Sequence, residues 1–90
     1  MLYALICTDR PGGLALREEV RAPHLAYIEA TGSVAHAGPF LDAAGAMSGS
    51  LVVVEAATRE AAEAWAAADP YARAGLFETV EIRAWRKVIG

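Results

Sequence analysis

Apolar and polar positions along this 90-residue chain fall into short runs with two different periods. Leu2-Tyr3-Ala4-Leu5-Ile6-Cys7-Thr8 is continuous and apolar and stops at Asp9-Arg10-Pro11-Gly12-Gly13. That pattern predicts a strand buried on both faces, then a loop. From Leu14 to Ala30 good helix formers follow, with a stop at Thr31-Gly32. Ser33 to Gly38 alternates weakly and predicts a second strand, closed by Gly38-Pro39. Phe40 to Gly49 is rich in Ala and Gly and reads as a loop or hairpin connection. Ser50 to Glu55, with Leu51-Val52-Val53-Val54, is the strongest strand by β-branched content. Thr58 is placed to cap a helix from Arg59 to Ala68. Phe77 to Trp85 alternates as a strand with one wet and one dry face.

The order β-α-β-β-α-β predicts an α+β, ferredoxin-like fold: one antiparallel sheet with two helices on one face. In that topology the first and third strands are central, and they are the two runs that are apolar on both faces. Two helices cover only one side of the sheet. The other side would expose a larger apolar patch than a soluble monomer tolerates, so a homodimer through the sheet faces is expected.

Length and composition narrow the function. Ninety residues make one domain, residues 1–90, with a single core. A net charge of −3 and a pI near 5.2 weigh against nucleic acid or an anionic membrane as partner. Cys7 is the sole cysteine, which excludes an internal disulfide and disfavours a thiolate metal cluster. No secretory signal and no apolar run of membrane-spanning length is legible, so a cytoplasmic location is expected.

Three polar groups sit where apolar ones would serve the core better. On the first helix, a 100° step puts Leu14, Val20, Leu25 and Ile28 on one arc, and His24 falls inside it with Arg17 and Arg21 beside it. The bland reading is that the arginines snorkel to water and His24 makes one hydrogen bond at the edge of the core. Asp69 ends the second helix, facing its negative pole, and needs compensation there. Pro70 disfavours helical geometry at Asp69 and suits the first position of a new helix. Asp69 is therefore expected to cap a short turn from Pro70 to Ala74, stopped by Gly75. One carboxylate oxygen would serve the cap and the other could face a cleft. Trp65, one turn earlier, lies on the same side.

Other candidates are weaker. His36 has no partner in its strand, and two histidines without a carboxylate cluster make a poor metal site. Ser50 lacks the context of a nucleophile, Gly12-Gly13 lacks that of a phosphate loop, and Cys7 reads as a buried strand residue.

Taken in order, Arg21-x-x-His24-Leu25, Ala37-Gly38-Pro39, Gly49-Ser50, Trp65-Ala66 and Asp69-Pro70-Tyr71-x-x-Ala74-Gly75 resemble the YCII-related (YciI-like) family over nearly the whole chain. The resemblance implies a ferredoxin-like protomer in a dimeric α/β barrel, similar to that of muconolactone isomerases. It also implies a small pocket holding a His-Asp pair, which maps onto His24 and Asp69. Trp85 departs from the smaller aromatic frequent in the last strand, and the 40–49 segment is unusually alanine-rich and expected to shape the pocket.

An aspartate accepting from one imidazole nitrogen fixes the tautomer and makes the other nitrogen a better base. Such a pair suits a small, cofactor-independent, metal-free enzyme of isomerase, lyase or elimination type, acting on an aromatic or lactone-like molecule. His24 is then the acid/base, Asp69 its orienting partner, and Arg21, Ser50 and Tyr71 ligand contacts, with Arg21 available to a carboxylate or oxyanion. The competing class is a non-catalytic small-molecule-binding or dimerisation module. A cofactor-free oxygenase of related architecture is a third reading, with no residue that indicates its substrate.

Overall fold

The two central strands explain the rest of the architecture. In the computed structural model, which describes all residues Met1–Gly90, β1 (Leu2–Asp9) lies between β3 (Met47–Glu55) and β4 (Phe77–Trp85), and β2 (Val34–Leu41) forms the edge beside β3. All pairings are antiparallel and the strand order is β2-β3-β1-β4. The ferredoxin-like order is thus as expected, with the first and third strands inside. Alternation along β1 sorts its side chains: Tyr3, Leu5, Cys7 and Asp9 are buried, while Leu2, Ala4 and Ile6 are half-exposed and Thr8 is exposed. The buried set meets Val52 and Val54 of β3 and, from above, Ala62 and Trp65. This is the core, and it lies on the helix-covered face.

Three helices stand over that face: α1 (Leu14–Thr31), α2 (Arg59–Ala68) and the single turn α3 (Pro70–Arg73). Thr58 caps α2, its hydroxyl accepting from the Ala61 N–H at 3.1 Å. Helix α1 continues through Pro23; Glu19 and Pro23 are both exposed, so water can satisfy the carbonyl that the proline leaves without a donor. No helix is long and apolar enough to cross a membrane.

Two expectations need correction. Half of the 40–49 segment, namely 40–41 and 47–49, is strand, so the hairpin connection expected there shrinks to residues 42–46. β2 runs on through Pro39 to Leu41, and β3 begins at Met47, so only a tight turn separates them. Asp42 builds this turn: its carboxylate accepts from the N–H groups of Ala44 and Ala46 at 2.9 and 3.0 Å. A side chain that organises its own turn lets the ladder extend into a stretch of low β-propensity. Pro39 is tolerated because β2 is an edge strand.

The second concerns α1. Leu14 and Leu25, placed on its core arc by periodicity, are 39% and 44% exposed, whereas Arg17 and His24 are 3% and 6% exposed. The helix is turned so that its polar pair faces inward, because each member finds a buried carboxylate there.

Candidate functional site

His24 meets Asp69 where α1 packs beside α3. The imidazole Nδ1 lies 2.7 Å from Asp69 Oδ1. A carboxylate oxygen accepts here, so Nδ1 is the donor, and in the neutral imidazole Nε2 is then the nitrogen with the free lone pair. The same Oδ1 accepts the backbone N–H of Tyr71 at 2.9 Å. Asp69 is thus the C-cap of α2 and the N-cap of α3 at once. The expected cap is present, with Pro70 at the first position of the new turn. Gly75, at φ +78°, closes the turn in a conformation that side-chain-bearing residues rarely adopt. The expected division of labour between the two oxygens does not hold, because one oxygen takes both donors. Asp69 does not line the cavity; it lies behind His24, one ring away.

Tyr71 makes the floor of this arrangement. Its ring stacks on the imidazole, with centroids 3.9 Å apart and planes 17° from parallel. The Arg17 guanidinium carbon lies 4.7 Å from the same ring centroid. Burial raises the pKa of the Tyr71 phenol and outweighs the lowering by the charges of Arg17 and Arg21, so the group stays protonated and can donate.

A second buried network lies alongside. Arg17 donates from Nε to Asp9 Oδ2 at 2.7 Å and from Nη2 to Asp9 Oδ1 at 2.8 Å, a two-pronged pair. Nη2 also donates to Ser50 Oγ at 2.8 Å. Burial pushes the Arg17 pKa down, but the hydrogen bonds and charge of Asp9, together with Tyr71, leave it raised. The snorkelling expected of Arg17 does not occur. Asp9 reaches it because a register shift between Thr8 and Asp9 in the β1–β4 pairing sets the end of β1 apart from the regular ladder. Ser50 reaches it because the preceding Gly49 lets β3 approach β1 closely: a Cβ there would stand 2.3 Å from the Cys7 carbonyl oxygen.

Between α1 and the β2–β3 hairpin lies a cavity of about 190 Å³. Arg17, Arg21 and His24 line it from the helix, Ser50, Val52 and Pro39 from the sheet, and Tyr71 from α3. A dry 150 Å³ cavity suffices for benzene, so about one substituted six-membered ring fits. No carboxylate lines the space, which is therefore electropositive. Arg21 is exposed, forms none of the chain's ion pairs and stands at the rim. Below, burial foremost, with the charge of Asp69, pushes the Cys7 thiol up to about 12, while Arg17 acts in the opposite sense. No three His, Cys, Asp or Glu side chains converge as metal ligands.

The structure thus brings His24, Arg21, Ser50 and Tyr71 to one cavity, with Asp69 directly behind. Met47, from the segment expected to shape the pocket, is also part of the wall. His36 is exposed on β2, and its ladder partner Val53 places it on the sheet face away from the helices. Sequence reasoning missed Asp9 and the buried role of Arg17. Two signals pointed to them: the buried alternation Tyr3, Leu5, Cys7 ends on an acid, and Arg17 lies two helical turns before His24 on one face.

Comparison with known proteins gives a consistent picture. The YCII-related domain matches residues 1–86. Protein YciI of Escherichia coli strain CFT073 is 38% identical over 97 aligned positions, which cover 98% of this chain and 99% of the relative. An uncharacterized protein of Haemophilus influenzae is 33% identical over the same shares. Among solved structures, 5-chloro-2-hydroxyhydroquinone dehydrochlorinase (TftG) from Burkholderia phenoliruptrix AC1100, in complex with 2,5-dihydroxybenzoquinone, superposes with a TM-score of 0.88. It is 33% identical, and the match covers 96% of this chain and 94% of that one.

Proposed function

The chain belongs to the YCII-related family, and from that premise we propose that it is an enzyme of general acid/base type. Its reaction is an elimination or isomerisation on a small hydroxylated ring or lactone-like molecule. The observation that carries the reading is the buried His24–Asp69 hydrogen bond with the cavity beyond it. No side-chain nitrogen or oxygen is both buried and unpartnered, and no hydrogen bond within the chain uses His24 Nε2, so Nε2 has its outlet toward the cavity. The dehydrochlorinase activity of the structural relative, and the ring bound to it, support both the reaction class and the size of ligand.

In this mechanism Nε2 takes a proton from an acidic C–H or O–H of the bound ring. For an elimination at carbon, the C–H electron pair becomes the new double bond and the leaving group departs with its own bonding pair. The proton and the departing anion balance the step, which requires no redox partner or cofactor. Asp69 stabilises the imidazolium that forms and holds the ring in the productive tautomer. Tyr71 keeps the imidazole plane fixed by stacking, and Arg21 and Ser50 contact the ligand.

The test has two arms. Imidazole 15N NMR of neutral His24 is expected to show Nδ1 protonated and Nε2 bare; an Nε2–H tautomer would sink the base assignment. Halogenated and unhalogenated hydroquinols are then screened for turnover, with His24→Ala expected to lose about 10²- to 10⁴-fold in rate. Binding across such a panel with no turnover in the wild type would favour a small-molecule sensor on the same fold.

A homodimer through the helix-free sheet face accompanies this proposal. That face presents Ala4, Ile6, Leu51 and Phe40 across β1, β3 and β2, with Val53 of β3 buried among them, while β4 contributes Glu81 and Arg83 at one edge. Four strands of eight or nine residues make a surface on the order of 500 Å², large for a monomer to expose. A two-fold axis lets the acid and base of one edge meet their counterparts.

A further inference from the structure

We infer that Met47 is the specificity-determining wall of the cavity: it limits the site to a single ring, and cutting it back joins the cavity to a second concavity behind it. This deepens the acid/base reading and rests on the same cavity.

Register aims Met47 at the site. Strand β3 carries Ser50 and Val52 on the helix-covered face, so strict alternation would put Ser48 on that face and Met47 on the open one. The β2–β3 ladder breaks the alternation. Phe40 pairs with Gly49 and Leu41 with Met47, so two steps along β3 answer one step along β2, and Ser48 is the extra residue. Phe40 and Leu41 are consecutive and belong to opposite faces. Past the bulge, Met47 therefore shares the face of Ser50 and Val52, and it lines the cavity with them. Bulges beside a site commonly re-aim a side chain in this way.

On the far side of Met47 lies an open groove of about 490 Å³, between the loop that follows β1 and the turn built by Asp42. Met47 is the one residue that lines both spaces. The partition between them has two parts of unequal stiffness. Asp9 lines the groove and Arg17 the cavity, and their paired hydrogen bonds lock that part. Met47 is half-buried, and its unbranched thioether chain is held by packing alone. The opposite walls do not yield: Tyr71 is stacked on His24, and Val52 belongs to the buried core. About 190 Å³ takes one substituted ring. A fused second ring has to claim the space that the Met47 chain fills.

The test is equilibrium binding by calorimetry at neutral pH with two acidic quinones. 2,5-Dihydroxybenzoquinone has a single ring, whereas 2-hydroxy-1,4-naphthoquinone adds a fused benzene ring comparable in bulk to the thioether chain. The readout is the ratio of the two affinities in each variant relative to wild type, so the difference in charge between the probes cancels. Wild type is expected to prefer the single ring. Met47→Ala is expected to move the ratio toward the fused ring by at least about tenfold, the effect of a methylene or more of room in an apolar pocket. Met47→Leu keeps the volume and is expected to hold the wild-type ratio within about threefold. Circular dichroism and urea midpoints check each fold, and Met47→Val, a milder truncation, is expected to shift the ratio less but in the same direction. An unchanged ratio in the truncated variants, an equal shift in Met47→Leu, or a wild type that takes both rings alike would each overturn the wall. A wild type that binds neither probe would overturn the cavity as a ligand site and the wall with it. Selective binding without turnover supports the wall and counts only against the acid/base reading.

Discussion

Through a single oxygen, Asp69 serves an imidazole and a backbone amide, and its two duties can be separated by choice of substituent. Asparagine is as good an N-cap as aspartate, whereas alanine is not. Asp69→Asn is therefore expected to keep the α3 turn, and Asp69→Ala to be less stable than Asp69→Asn by about 1 kcal/mol in urea titrations. Both should depress turnover, since neither leaves a carboxylate beside His24. Cys7 gives a prediction of a different kind. Its thiol is raised to about 12, above the ordinary range of 8.5–9 for an unfolded thiol. The folded state thus favours the neutral form. That contribution is complete below about pH 9 and is lost as pH rises through about 12. Urea midpoints measured from pH 8 to 11 should fall with pH, and fall less steeply in Cys7→Ala. At pH 8 the native thiol should resist alkylation that proceeds freely in denaturant.

Between elements, the Asp9–Arg17 pair joins the end of β1 to the second turn of α1, and both side chains are almost wholly buried. Removing one partner strands the other charge. Arg17→Met or Asp9→Ala alone is expected to cost about 3–5 kcal/mol, and the double replacement less than the two costs together. A double-mutant cycle in urea measures the difference. The same pair shows where sequence reading succeeds and where it stops. Strand order was legible because Leu2–Cys7 of β1 and Leu51–Val54 of β3 are apolar on both faces, and only central strands need that. The cap at Asp69 was legible because Pro70 and Gly75 are local signals acting on their own neighbours. The rotation of α1 was not, because its periodicity counts Leu14 and Leu25 as core and leaves Arg17 only beside that arc. Only the carboxylate at residue 9, on another element, reverses that preference. The extension of the β2–β3 hairpin was hidden for a related reason: the turn is made by the Asp42 side chain, which composition does not weigh.

At the scale of the whole molecule, one sheet face is closed by helices and encloses the candidate chemistry, while the other stays open. Leu51 lies at the middle of the open face and is 37% exposed. Leu51→Lys would place a charge against its symmetry mate in a face-to-face pair. It is expected to turn a dimer of the wild-type chain into a monomer by sedimentation velocity, leaving the circular dichroism spectrum unchanged. A wild type that sediments as a monomer at micromolar concentration would rule out the pairing.

The shared oxygen of Asp69 has one more consequence, and it concerns observation. The amide of Tyr71 and the ring of His24 both donate to one oxygen and together hold Asp69 in place, so the fraying of α3 and the release of the imidazole are thermodynamically linked. A single backbone hydrogen therefore reports on a side-chain pair 45 residues apart in sequence. Exchange of the Tyr71 amide with deuterium should quicken when His24 is replaced by alanine, and slow when a ligand presses the imidazole back onto its carboxylate. The readiness of the site can be followed as a protection factor, with no substrate in hand.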